Sequence, residues 1–80
     1  MLFIFEKESL HSFWMKNMRF PLDIIWIDKD KKIVDIYKFA LPCKDICKTI
    51  TPSLKAKFVL EVNAGFVEKN NLKIGERLDF

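Results

Sequence analysis

Between His11 and Asp28 the chain reads HSFWMKNMRFPLDIIWID, a stretch that sets polar chemistry among strongly apolar residues. Four of its side chains form a candidate binding cluster. Trp14 offers a flat apolar ring, and Lys16, two residues on, presents a cation to the same face of an extended segment. Asn17 adds a donor and an acceptor, and Asp23 follows on the next strand, just past Pro21. An aromatic platform with a few directed polar groups can grip a small polar ligand or a peptide. The competing reading is architectural: Trp14 packs, Lys16 and Asp23 form an ion pair, and Asn17 and Pro21 shape a turn. Both readings stand on the residues alone.

His11 is the sole histidine, and an imidazole that titrates near neutrality is a candidate general base. A small hydrolase-type enzyme in which His11 and Asp23 share acid–base work is therefore an alternative function. No serine or cysteine lies in a recognisable nucleophile context, so the sequence favours a noncatalytic module. Cys43 and Cys47 are spaced C-x-x-x-C. Structural zinc takes four ligands, more than two thiols and one histidine supply, and a thioredoxin-type centre needs C-x-x-C. The expected state is a disulfide stapling its own loop, with about 2 kcal/mol of stabilisation on the chain-entropy model. A reducing cytosol would open that bond in a mesophile, whereas a hyperthermophile can keep it closed. No metal and no cofactor are expected. Asp28-x-Asp30 begins like a calcium loop but lacks the glycine and the distal glutamate.

The elements that must position these groups read mostly with period two. Leu2 to Phe5 is a short apolar strand. His11 to Lys16 alternates, with His11, Phe13 and Met15 on one face and Ser12, Trp14 and Lys16 on the other. Leu22 to Asp28 is apolar on both faces, the mark of a central strand or of the wall of a closed sheet. It turns through Asp28–Lys31 and returns as Lys32 to Phe39. Lys57 to Val62 alternates again, with Phe58, Leu60 and Val62 inward and Lys57 and Glu61 outward. Asn63 is the predicted N-cap of a short helix from Ala64 to about Asn70, and Asn71 can end that helix in a left-handed conformation. Ile74-Gly75 makes a turn, and Arg77 to Phe80 closes as a last strand. Only the segment between Phe39 and Lys57 is long and irregular. Loops of that length are usually functional or pinned down.

Eighty residues make a single domain, 1–80. Half of the residues are apolar and eight are phenylalanine, which excludes a disordered chain. The net charge of +3 comes from twelve lysines and two arginines against eleven acids. These lysines are scattered, whereas a nucleic-acid face clusters its charge and favours arginine, so no nucleic acid is expected. Glutamine is absent while Lys, Ile and acids are plentiful, a composition compatible with an archaeal-like thermophile and equally with an AT-rich genome. No apolar run approaches the roughly 20 residues of a membrane-spanning helix. The start, MLFIFEKESL, has neither a basic n-region nor a small-residue cleavage site. The expectation is a cytoplasmic protein without a membrane partner.

HSFWMKN, then PLDIIWID, the cysteine loop, FVLEVNAGF and a closing LKIGERL together resemble the domain-of-unknown-function family 192, also called uncharacterised protein family 0127. The resemblance spans nearly the whole chain. It implies a mainly β, α+β domain: a small curved, antiparallel, barrel-like sheet with one short helix near the C-terminus. It implies no established activity. Two departures from the family pattern matter. Relatives usually carry a further segment upstream of the strand matched by Met1 to Phe5, and a missing strand would leave a sheet edge open to homodimerisation. Relatives also tend to have glycine where this chain has Lys31. Three functions follow as expectations: a noncatalytic binding module using Trp14, Lys16, Asn17 and Asp23; the His11–Asp23 enzyme; and an interaction subunit pairing through an open edge.

Overall fold

The computed structural model describes all 80 residues. Four strands form one open, curved antiparallel sheet: β1 (Leu2–Ser9), β2 (Leu22–Ile27), β3 (Ile33–Ala40) and β4 (Ala56–Asn63), in the order β1-β4-β2-β3. A single helical turn, α1 (Phe66–Lys69), follows β4.

β2 lies inside the sheet because its sequence, LDIIWI, gives neither face to water. All six of its residues are buried. Leu22, Ile24 and Trp26 face one layer, where they pack with Met15, Ala40, Ala56 and Val59. Ile25 and Ile27 face the other, with Ile33 and Val67. The first layer is covered by residues 10–20 and 41–55, whose Phe13, Met18 and Ile50 complete the cluster together with Phe3 and Phe5 of β1. The second is covered by α1 and the C-terminal segment through Val67, Leu72 and Leu78. Trp26 is the largest fully buried side chain. Its Nε1–H donates to the His11 carbonyl at 2.8 Å, which ties residues 10–20 to β2.

The β2–β3 hairpin follows the sequence pattern within a residue at each end. Its turn is closed by Lys31 N–H to the Asp28 carbonyl, 3.0 Å, and by the Asp28 carboxylate, which accepts from the amides of Asp30 and Lys32. The helix ends as Asn71 predicts: its φ is 53°, and the amides of Asn71 and Leu72 reach back to the carbonyls of Glu68 and Val67. This is a Schellman arrangement.

Several expected elements differ. β1 is longer than Leu2 to Phe5. Its register with β4 is regular from Leu2↔Leu60 to Ile4↔Phe58 and then slips before Ser9↔Ala56, so Glu6-Lys7-Glu8 runs along a bulge. His11 to Lys16 keeps its alternation but is not a strand. It makes only isolated bridges, Phe13↔Ile50 and Lys16↔Cys43, because its main chain meets the loop 41–50 above the sheet. Arg77 to Phe80 likewise contributes one bridge, Lys32↔Arg77, and packs Phe80 edge-on against Phe58. β4 buries Phe58, Leu60 and Val62 toward the helix side as expected, but Val59 is buried on the other face. An interior strand has no solvent face, so Lys57 and Glu61 are only half exposed.

Two consequences can be measured. Lys31 sits at φ 65°, a conformation that costs an L-residue about 1–2 kcal/mol and glycine very little. Lys31→Gly is expected to raise stability by about 0.5–1 kcal/mol in urea unfolding, net of glycine's greater freedom in the unfolded chain. A loss instead would mean that the contacts of the Lys31 ammonium with Phe80 outweigh the backbone strain. Burial raises the Glu61 carboxyl above its ordinary value of 4.5, and the Met1 ammonium opposes that shift. A raised folded-state value means that the anion weakens the fold at neutral pH, and that this penalty fades as the pH falls toward 4.5. Glu61→Gln is therefore expected to raise the melting temperature at pH 7 and to lose that advantage at pH 4, as read from melts across this range.

Candidate functional site

The inward packing of Phe13 and Met15 turns their neighbours Trp14 and Lys16 to the outside. Trp14 is 56% exposed. The Lys16 ammonium lies 5.3 Å from the centroid of its ring, within cation–π range. Asn17 then bends the chain at φ 63°, a conformation its short polar side chain tolerates well. Its amide donates to the Cys43 carbonyl at 2.9 Å, and the Cys43 amide donates to the Met15 carbonyl at 3.1 Å. The Trp14–Lys16–Asn17 segment is thus fastened to the cysteine loop.

Cys43 and Cys47 are joined by a disulfide, as their spacing suggests. The three residues inside that loop are exposed, and Ile46 is 96% exposed. Beside the loop lies a cavity of about 230 Å³, between Tyr37, Phe39 and Leu41 on one side and Cys43, Lys48 and Ile50 on the other, with Met15 beneath. Tyr37, Phe39 and Leu41 are all exposed. Lys16, Lys44 and Lys48 around this rim form no ion pair; Lys38–Glu68 is the protein's one salt bridge. A second cleft of about 280 Å³ opens on the helix side among mostly apolar side chains, including Leu60, Phe66 and Phe80.

Asp23 does not join Trp14, Lys16 and Asn17. It is fully buried on the helix-side face of β2 and forms no ion pair with Lys16. The reason is parity: Leu22 and Ile24 face the layer that carries residues 10–20, so the residue between them faces away. Its carboxylate accepts from the amides of Phe39 at 3.0 Å, Gly65 at 3.1 Å and Val67 at 2.9 Å. Asp23 therefore caps α1, the role expected of Asn63. Asn63 is an exposed strand-end residue, and the N-cap position belongs to Gly65, with φ 98° and no side-chain cap of its own.

Asp23 also shapes the cavity wall from behind. Two residues of β3, Lys38 and Phe39, stand opposite it between the pairs Leu22↔Ala40 and Ile24↔Tyr37, which makes a β-bulge. Phe39 occupies φ 54°, and its amide is held by the Asp23 carboxylate while its ring lines the cavity. Tyr37, Phe39 and Leu41 lie outside the binding cluster that the sequence suggests. A usable signal was present: a carboxylate inside a strand buried on both faces must find main-chain donors.

His11 stacks on Phe5, with ring centroids 3.6 Å apart, and its Nε2 lies 3.1 Å from the Lys7 carbonyl. It sits with the Trp26 layer, on the opposite side of β2 from Asp23, so the two share no site. No group of three or more His, Cys, Asp or Glu side chains gathers anywhere in the fold. No helix is long and apolar enough to cross a membrane.

The DUF192 family model, described as an uncharacterised ACR, matches residues 1–80. A solved structure of a candidate transcription regulator from Sinorhizobium meliloti superposes with a TM-score of 0.88 at 35% identity, over 98% of this chain and 59% of that one. A protein of unknown function from Novosphingobium aromaticivorans gives 0.84 at 26% identity, over 99% of this chain and 55% of that one. The chain thus spans somewhat more than half the length of either structure. None of the curated proteins matches it.

Asp23→Asn replaces an acceptor of three amides by a group that is half donor. It is expected to cost about 2–4 kcal/mol in urea unfolding, because buried donors lose their partner. A cost below about 0.5 kcal/mol would show that water or a neighbouring group takes over those amides.

Proposed function

This chain belongs to the DUF192 family, and from the geometry of its rim we propose that it is a noncatalytic binding module for a small polar ligand or a peptide. The observation that carries this reading is the Trp14–Lys16 stack, exposed on a segment fastened to the disulfide-stapled loop, which itself borders a small cavity lined mostly by apolar residues. An indole left in water is an unused apolar surface, and the adjacent ammonium and the Asn17 side-chain carboxamide supply direction. The binding set is Trp14, Lys16 and Asn17, with Asp23 acting from behind as a positioning residue. Recognition is through a preformed surface, with no group taking part in a reaction. The description of the Sinorhizobium meliloti structure as a candidate regulator is compatible with a binding role and names no ligand. A cytoplasmic location is part of the proposal. If the cysteines are reduced there, the main-chain bonds to Met15 and Asn17 still hold Cys43 at the rim.

The test is a panel of amino acids, short peptides, sugars and nucleotides, screened by ligand-induced shifts in amide resonances. Binders are expected to perturb residues 14–17 and 43–48. Trp14→Ala should weaken them at least tenfold while leaving the melting temperature nearly unchanged, since the ring is exposed. A panel in which every binder is indifferent to Trp14 would overturn the proposal.

A further inference from the structure

We infer that the cavity between β3 and the cysteine loop receives one large apolar side chain of an acidic peptide segment, whose flanking carboxylates meet Lys16, Lys44 and Lys48. This rests on the reading of the rim as a binding surface and chooses between its two ligand classes.

Size favours the peptide. Pockets that enclose whole small molecules span roughly 300–1,000 Å³. This one holds about 230 Å³ and suits a single anchoring side chain of a larger partner, the usual form of a protein-interaction hot spot. Its lining agrees: Tyr37, Phe39, Leu41 and Ile50 surround the space, and the one charged side chain of the lining is Lys48. Charge favours an acidic partner. Lys16 is bridged to Cys43, Lys44 follows it within the stapled loop, and none of Lys16, Lys44 and Lys48 has an acidic partner. Asp45 is the only acid in residues 41–50. Complementary charge of this kind speeds encounter and sets register more than it adds affinity.

The backbone of Phe39 is the third argument. An aromatic residue at φ 54° is a genuine outlier, and such strain persists only where the surroundings impose it. Here the imposing group is the fully buried Asp23 carboxylate. The bulge at Lys38–Phe39 turns the Phe39 ring into the cavity lined by Tyr37, rather than continuing the strand. A fold with no use for that ring could place asparagine or glycine there without strain.

The probe is the capped pentapeptide Glu-Glu-Phe-Glu-Glu, titrated at low salt against the oxidised protein, with Glu-Glu-Ala-Glu-Glu, Lys-Lys-Phe-Lys-Lys and a thymidine decamer as comparisons. The Phe peptide is expected to bind at least tenfold more tightly than either other peptide or the oligonucleotide, and to shift the amides of Tyr37–Leu41 and Cys43–Lys48. Lys48→Glu should weaken it at least tenfold. Phe39→Asn should weaken it as much while melting no lower than the parent, because asparagine is at ease at positive φ. Equal binding of the Ala peptide, preference for the Lys peptide or the oligonucleotide, or indifference to both substitutions would overturn the inference. If none of the peptides binds while Trp14-dependent small ligands do, this inference falls and the binding-module reading stands. If Trp14→Ala is silent as well, both fall.

Discussion

The Asp23 carboxylate accepts three main-chain hydrogen bonds within a layer that otherwise holds only hydrocarbon. Burying a carboxyl group is costly unless its oxygens are satisfied. Here one oxygen takes the Phe39 amide and the other takes those of Gly65 and Val67, so a residue of β2 ties together the end of β3 and the start of α1. α1 is a single turn, and a turn that short has no stability of its own in water. Its position depends on this carboxylate and on Val67 buried against Ile25 and Ile27. The same group fixes the bulge in β3. One interaction therefore sets the helix on one side of the sheet and the cavity wall on the other.

The rest of the molecule shows why such a tie is needed. Only four strands and one helical turn are regular, and residues 10–20 and 41–55 cover an entire core face without secondary structure of their own. Their backbone groups must still be satisfied. They achieve this by reaching each other, through Phe13 with Ile50 and Asn17 with Cys43, and by taking the Trp26 indole N–H at His11. The disulfide restrains a loop whose three inner residues are all exposed, with an effect of about 2 kcal/mol on the chain-entropy model. The irregular cover is thus a meshed layer held at a few points, and its outer surface is where Trp14 and Lys16 emerge.

The sequence made legible those features in which local pattern and burial agree. LDIIWI reads as a strand buried on both faces, DKDK as a tight turn, and Asn71 as a residue able to stop a helix in a left-handed conformation. The alternation from His11 to Lys16 told the faces correctly even though the segment is not a strand, because period two reports an extended chain whether or not it joins a sheet. Long-range partnerships were not legible. Nothing in Asn63 reveals that a residue forty positions earlier in the chain caps its helix, and the cap therefore fell to the nearest suitable side chain. The polarity of Asp23 suggests a surface carboxylate, although its apolar neighbours on both sides imply burial. Tyr37 and Phe39 looked like ordinary strand aromatics, since a bulge leaves no mark in composition.

The exposure of Trp14 has a simple cause, since filling the core with Phe13 and Met15 forces the residue between them outward. That cause explains the direction of the side chain but not its identity. Serine serves at position 12 in the same alternation, and its hydroxyl merely pairs with Thr51. An indole at position 14 adds nothing to the core and leaves apolar surface in water. The cation–π contact with Lys16 recovers only part of this, since such contacts at exposed sites are worth about 0.5–1 kcal/mol. Phe39 poses the same question at the cavity, where a strained backbone holds an exposed ring. Core packing accounts for neither choice. On the proposed reading, a partner that covers both rings, and so takes them out of water, would account for the two together.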